Sequence, residues 1–343
     1  MNKNYMFSLI AVIVLFLIAY FGVETAGLHV LFGIVIPYLA ALIFIVGFVY
    51  RVRDWAYSPV PFRIPSTCGQ QASLPWIRQA TYDNPSSNGG VIVRMILEVL
   101  FFRSLFRNMR FELKGGKKLS YIWEKWLWLF ALAFHWAFLV VVIRHLRFFA
   151  EPVPFWVQFL EYLDGFVRVE FLSDVLQVGL PGVFMSGLVL LVAVIFLFLR
   201  RVFISQVNYI SLASDYFPLF LIMGIAISGI LMRYFIKVDI VGVKEFTMGL
   251  ATFSPSIPEG VGVIFYVHLL FVSVLLVYFP FSKLMHLGGV FLSPTRNLAN
   301  NSRAKRHINP WNYPVHVHTY EEYEDEFREK MIEAGLPVEK ESN

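Results

Sequence analysis

Cysteine is almost missing from this 343-residue chain: Cys68 stands alone. A single thiol excludes an internal disulfide. It also excludes an iron–sulfur cluster held by this chain alone, since such clusters normally take four thiolates. No CxxCH occurs, so a haem attached in the c-type manner is excluded as well. Charge is scarce too. Only 15% of residues are Asp, Glu, Lys or Arg, against about 25% in soluble domains, whose surfaces must be hydrated. That shortfall excludes an ordinary cytosolic enzyme, a disordered chain and a nucleic-acid-binding domain. What is plentiful is apolar: 57% of residues are hydrophobic and the mean hydropathy is +0.63. The net charge of +5 and pI near 9.2 therefore describe topology, not a DNA footprint. The chain reads as an all-α integral membrane protein set in a lipid bilayer.

About 20 apolar residues cross the hydrocarbon as a helix, because only a helix satisfies its own backbone there. Six stretches qualify: Phe7–Gly22, Val30–Tyr50, Trp126–Ile143, Val178–Leu199, Tyr216–Phe235 and Val261–Phe281. The first is short enough for a signal sequence, but no A-x-A cleavage site follows, and it is expected to stay as an anchor. The 51–125 loop holds twelve Lys and Arg, and Arg200, Arg201, Arg296, Arg303, Lys305 and Arg306 fall on the same side. The 146–177 loop is acidic, with Glu151, Glu161, Asp164, Glu170 and Asp174. Basic loops stay inside, so both termini and the long loop are expected in the cytoplasm of a multi-pass cell-membrane protein.

The expected organisation is a pair of N-terminal transmembrane helices (1–50), a cytoplasmic loop (51–119), a core of four further transmembrane helices (120–294) and a cytoplasmic tail (295–343). Within the loop, residues 58–90 are rich in Pro, Ser, Gly and Asn and read as irregular. Val91–Leu113 reads as an amphipathic helix with Arg103, Arg107 and Arg110 on one face, lying on the membrane or against a partner subunit. Tyr320–Glu333 of the tail is strongly charged and reads as a helix. No internal repeat is visible.

Ionisable residues inside a span cost a few kcal/mol on insertion scales and usually mark function. His135 and His145 lie on the third span, His268 and His286 on or just beyond the sixth. These spans run in opposite directions. His135 and His286 therefore share the cytoplasmic half, and His145 and His268 the outer half. Two histidines at one depth on two helices make a bis-imidazole site, so two layers make two sites. Haem suits them better than zinc, which wants four converging ligands that these spans do not supply. The spacings do not match on straight helices: eighteen residues rise about 27 Å and ten about 15 Å. Tilt, a kink at Pro280 or inclined haem planes must take up the difference. His29 reads as interfacial packing, and His307, His316 and His318 as solvated tail residues rather than metal ligands.

The H-x9-H of the third span, the H-x17-H of the last and the run FPFSKLMH at Phe279–His286 resemble the nitrate reductase gamma-subunit family of di-haem membrane cytochromes b. The resemblance spans roughly Ser120–Pro294. The two extra N-terminal spans, the FFRSLFRNMR segment and the tail depart from the nitrate enzyme. They are similar instead to the membrane cytochrome b subunits of the Dsr complexes of sulfate- and sulfur-metabolising microbes. The resemblance implies two b haems, on His135 with His286 inside and on His145 with His268 outside. It further implies menaquinone as redox partner and a cytoplasmic heterodisulfide-reductase-like iron–sulfur subunit, with further membrane and extracytoplasmic cytochrome c subunits alongside.

On this reading the chain is the electron-transfer subunit of a quinone oxidoreductase complex linked to sulfite or sulfate reduction, with the final chemistry in a partner. Menaquinol is oxidised near the outer haem and electrons move inward. Arg144 and Arg147, beside His145, and Lys283, near His286, are candidates for haem propionates or a quinone carbonyl; for the two arginines the competing expectation is snorkelling at a helix end. Two other classes stay open: a non-redox membrane anchor, which would need none of the four histidines, and a transporter relaying protons or metal through them.

Overall fold

The computed structural model describes residues 3–58, 69–114, 118–165, 183–305 and 316–339. Cys68, Pro59, Pro61, Pro65, Glu170, Asp174, Arg306 and His307 lie outside them. In chain order the elements are α1 (Asn4–Glu24), α2 (Ile36–Tyr57), α3 (Asn88–Phe101), α4 (Arg103–Phe106), β1 (Met109–Lys114), β2 (Lys118–Trp123), α5 (Lys125–His145), α6 (Phe155–Asp164), α7 (Met185–Phe203), α8 (Ser205–Ile210), α9 (Ala213–Ile230), α10 (Ile240–Ala251), α11 (Val263–Tyr278), α12 (His286–Leu292), α13 (Pro294–Asn297) and α14 (Tyr320–Glu333).

Among the described residues, six helices are long and apolar enough to cross a membrane: α1, α2, α5, α7, α9 and α11, several of them together with their flanking turns. They are apolar on every side. Phe7 at 65% and Ile45 at 60% exposure therefore face the hydrocarbon and not water. Helix α11 sits at the centre, with α1, α2 and α9 around it. Leu221, Phe246, Tyr266, Val267 and Phe271 are buried at that junction. Helix α5 packs on α7, and Ala137, Leu190, Val194 and Ile222 join those two to α9. Helices α5 and α11 have little direct packing of their own.

Polar contacts tie the helix ends. At one end, called the basic end below, Asn4 Nδ2 donates to the Ser211 carbonyl (3.0 Å) and Ser8 Oγ to that of Ala213 (2.8 Å). There Tyr278 Oη donates to the Ser214 carbonyl (2.9 Å), and Arg200 meets Glu124 at 3.1 Å. At the opposite end, Tyr38 Oη donates to the Leu250 carbonyl (2.9 Å) and Thr247 Oγ1 to that of Phe148 (2.6 Å).

One expected helix is cut short. Helix α3 is capped by Ser87, whose hydroxyl accepts the Gly90 amide (3.2 Å), but it ends at Phe101 because Phe102 turns left-handed (φ 51°). After the short α4 the chain becomes β1, antiparallel to β2 with Met109 opposite Trp123 and Phe111 opposite Tyr121. The alternation in MRFELK and KLSYIW is a strand period. Arg103, Arg107 and Arg110 therefore do not share a helix face. The first two pair with Asp83, and Arg110 reaches Glu124 at 3.5 Å.

The segment before α3 clasps the chain after α12. Asn300 Nδ2 donates to Asn84 Oδ1 (2.5 Å), its backbone amide donates to the Pro85 carbonyl (2.7 Å), and Arg296 meets Glu98 (3.4 Å). The tail helix α14 is capped by Thr319 and Glu322, which exchange hydrogen bonds with each other's backbone amides.

Candidate functional site

Helix α11 ends at Tyr278. A 3-10 turn (Phe279–Phe281), an extended Ser282 and a second 3-10 turn (Lys283–Met285) lead to His286, the first residue of α12. The eighteen residues from His268 to His286 are thus not one straight helix, and the bend at Pro280 relieves the mismatch in spacing. Gly47 of α2 makes room for it: a Cβ there would stand 2.9 Å from Pro280 Cβ.

The bend brings His286 to His135, with ring centres 5.9 Å apart and planes at 80°. His145 and His268 face each other at 6.4 Å with planes at 11°. The first is the near pair, toward the basic end; the second is the far pair. Phe102 and Phe134 stand edge-on to His135 at 4.9 and 5.1 Å, so the left-handed residue that ends α3 also walls the near pair.

Each ring has its Nδ1 occupied. His135 donates to the Ala131 carbonyl (2.7 Å), His145 to that of Val141 (2.6 Å) and His286 to that of Lys283 (2.8 Å). His268 Nδ1 meets Ser228 Oγ at 2.8 Å. That hydroxyl is 2.7 Å from the Gly224 carbonyl, to which it donates, so it accepts from His268. All four imidazoles are thereby held with the proton on Nδ1 and the lone pair on Nε2, the arrangement a metal-ligating histidine needs. With metal–nitrogen bonds of about 2.0 Å, two imidazoles that would share one metal have ring centres about 6 Å apart. Both pairs meet that spacing, so the residues fit a group ligated on two faces, such as haem. Two histidines per pair, with no carboxylate or thiolate joining them in a metal-ligand cluster among the described residues, also suit haem iron better than zinc.

The three candidate cations all face carboxylates of this chain. Arg144 meets Asp164 at 2.9 Å, both side chains largely buried, and lies 3.8 Å over the Phe184 ring. Asp164 also accepts from the Ser186 amide (2.7 Å) and hydroxyl (2.6 Å), so α5, α6 and α7 meet on one carboxylate. Arg147 pairs with Glu161, and Lys283 with Asp215 at 2.6 Å. His29 donates to the Gly27 carbonyl (3.1 Å) and packs edge-on against Tyr266. His316, His318 and Glu322 are exposed with ligand atoms within 4.8 Å of one another. The Glu322 carboxylate there is already the cap of α14, accepting the Thr319 amide at 2.9 Å.

Ser228 is the positioning residue that sequence reading passes over. Its only signal is a hydroxyl in an apolar span, and a serine bonding its own preceding turn is common. Which residue its oxygen accepts from depends on how α9 packs against α11. The carboxylates that neutralise Arg144 and Lys283 come from other helices, α6 and α9, and carry no signal of that pairing.

Residues 94–306 match the nitrate reductase gamma subunit family. The chain is similar to the Hdr-like menaquinol oxidoreductase cytochrome b-like subunit of Archaeoglobus fulgidus, 46% identical over 289 residues, which cover 82% of this chain and 83% of that protein. The same-named subunit of Archaeoglobus profundus is 45% identical over 283 residues, covering 80% and 81%. A more distant relative is a dihydromethanophenazine:CoB–CoM heterodisulfide reductase subunit of Methanosarcina thermophila, 23% identical over 201 residues, covering 56% and 67%.

Proposed function

The chain belongs to the nitrate reductase gamma subunit family, and from that premise we propose that it is the di-haem membrane cytochrome b subunit of a menaquinol-oxidising respiratory complex. His135 and His286 hold one b haem, His145 and His268 the other. The observation that carries this reading is the engagement of all four Nδ1 atoms beside two ring separations of 5.9 and 6.4 Å. When bound, the haems supply one-electron redox chemistry at two depths. The protein's part is to orient the rings. The carbonyls of Ala131, Val141 and Lys283 and the Ser228 hydroxyl do so, each also making its imidazole a stronger donor.

The excess of Lys and Arg between residues 51 and 125 supports placing the basic end in the cytoplasm. The far pair then lies toward the outer face. Menaquinol oxidised there would release its two protons outward, and haems held by the two histidine pairs would carry its two electrons toward the near pair. Moving charge this way against an inside-negative potential stores about 2.3 kcal/mol per charge per 100 mV. The electrons leave to a cytoplasmic heterodisulfide-reductase-like iron–sulfur subunit. The relatives' names support menaquinol and an Hdr-like partner. A terminal step on a sulfur acceptor in sulfite or sulfate reduction, with cytochrome c subunits outside, completes the reading.

The test is a pyridine haemochrome assay on the purified chain, expressed with haem available. Two b haems per polypeptide are expected, falling to one in His268→Ala. A folded chain with no haem would refute the assignment and leave a non-redox anchor. Full haem content in His268→Ala would refute the far pair.

A further inference from the structure

With Arg144, Arg147 and Lys283 each facing a carboxylate, a fourth cation stands apart. Arg233 lies in the π-helical turn Leu231–Ile236 that ends the α9 span. It is one turn beyond Gly229, where a Cβ would lie 3.5 Å from His268 Cε1. Its guanidinium sits 4.9 Å over the ring of Phe184, the ring that also carries Arg144 at 3.8 Å. Two guanidinium groups thus converge on one phenyl ring at the far end. Asp164 accompanies Arg144. Among the described residues no carboxylate pairs with Arg233, and its Nε is buried without a hydrogen-bond partner.

A partly buried guanidinium beside a membrane-embedded site is costly unless something anionic meets it. Its planar fork suits a carboxylate, which it binds in two parallel hydrogen bonds. We propose that Arg233 is the binding residue for a carboxylate of the group held by His145 and His268, namely a propionate of the far haem. This rests on the di-haem reading. The guanidinium lies over the Phe184 ring, and Tyr234, the residue after Arg233, fixes that ring's backbone by accepting the Phe184 amide at its hydroxyl (2.7 Å).

The experiment is a potentiometric titration of the full-length, haem-loaded chain in detergent, comparing wild type with Arg233→Gln and Arg233→Lys. Loss of the cation leaves the carboxylate uncompensated and favours the ferric state. Arg233→Gln is therefore expected to keep two haems and lower one midpoint only, that of the haem lost in His268→Ala. Arg233→Lys should restore most of the shift. Should Arg233→Gln fail to fold, Arg233→Lys decides alone, since losing the bidentate geometry should still lower the far midpoint. Unchanged midpoints, or equal shifts of both, would overturn the proposal. So would unchanged midpoints with a raised KM for menaquinol, which would assign the guanidinium to the quinol. A wild-type chain without haem would sink the di-haem reading itself, whatever Arg233 does.

Discussion

The rings of His145 and His268 lie nearly parallel, 11° apart, whereas those of His135 and His286 are close to perpendicular at 80°. In a low-spin bis-imidazole haem, parallel planes split the two iron orbitals that interact with the ligands, and perpendicular planes leave them nearly degenerate. Electron paramagnetic resonance of the oxidised protein should show one rhombic signal and one highly anisotropic signal with a large maximum g. His268→Ala should remove the rhombic one. Two identical signals would mean that the ring planes do not differ as described.

Ser228→Ala takes away the acceptor for His268 Nδ1 without touching a ligand. Outer-shell changes of this kind weaken metal binding about 10–100-fold. The imidazole also becomes a poorer donor, so the far midpoint should rise, opposite in sign to the shift expected for Arg233→Gln. Haem retention during dilution and a redox titration check both.

Gly47→Val would force a side chain onto the Pro280 ring, where even a Cβ would stand 2.9 Å from Cβ and 3.0 Å from Cγ. Overpacking of this kind costs about 1–3 kcal/mol. The strain falls on the turn that presents His286, so the near haem should be lost before the far one. Haem stoichiometry with and without His268→Ala separates the two.

Glu124 receives Arg200 at 3.1 Å and Arg110 at 3.5 Å, its own side chain only 10% exposed. Glu124→Ala would leave two guanidinium groups without their shared carboxylate. Breaking a buried pair costs about 3–5 kcal/mol, so thermal unfolding in detergent should move down markedly, by more than in Arg110→Ala.

The six spans are legible in the sequence because a membrane helix is read from a single property, continuous apolarity over about 20 residues. The four histidines stand out for the same reason, as ionisable groups in an apolar background, and opposed helix directions suffice to match them by depth. Three other features are not legible this way. The helix expected through Leu113 stops at Phe102, where one left-handed residue outweighs a periodic pattern that strand alternation replaces a few residues later. Arg144, Arg147 and Lys283 look like free cations along the chain, because Asp164, Glu161 and Asp215 reach them only through tertiary packing. Ser228 and Arg233 matter through what α9 faces, and one helix alone does not reveal its neighbour.

The pairing of distant residues also has a temporal meaning. Each histidine on α5 awaits a partner on or beyond α11, more than a hundred residues later in the chain. At synthesis rates of about 5–20 residues per second, the first ligand of each pair is made several seconds before the second. Until α11 enters the bilayer, neither pair has more than one of its two histidines in place. On the di-haem reading, cofactor loading would therefore be the closing act of biogenesis. A chain truncated before Val263 should reach the membrane yet stay colourless.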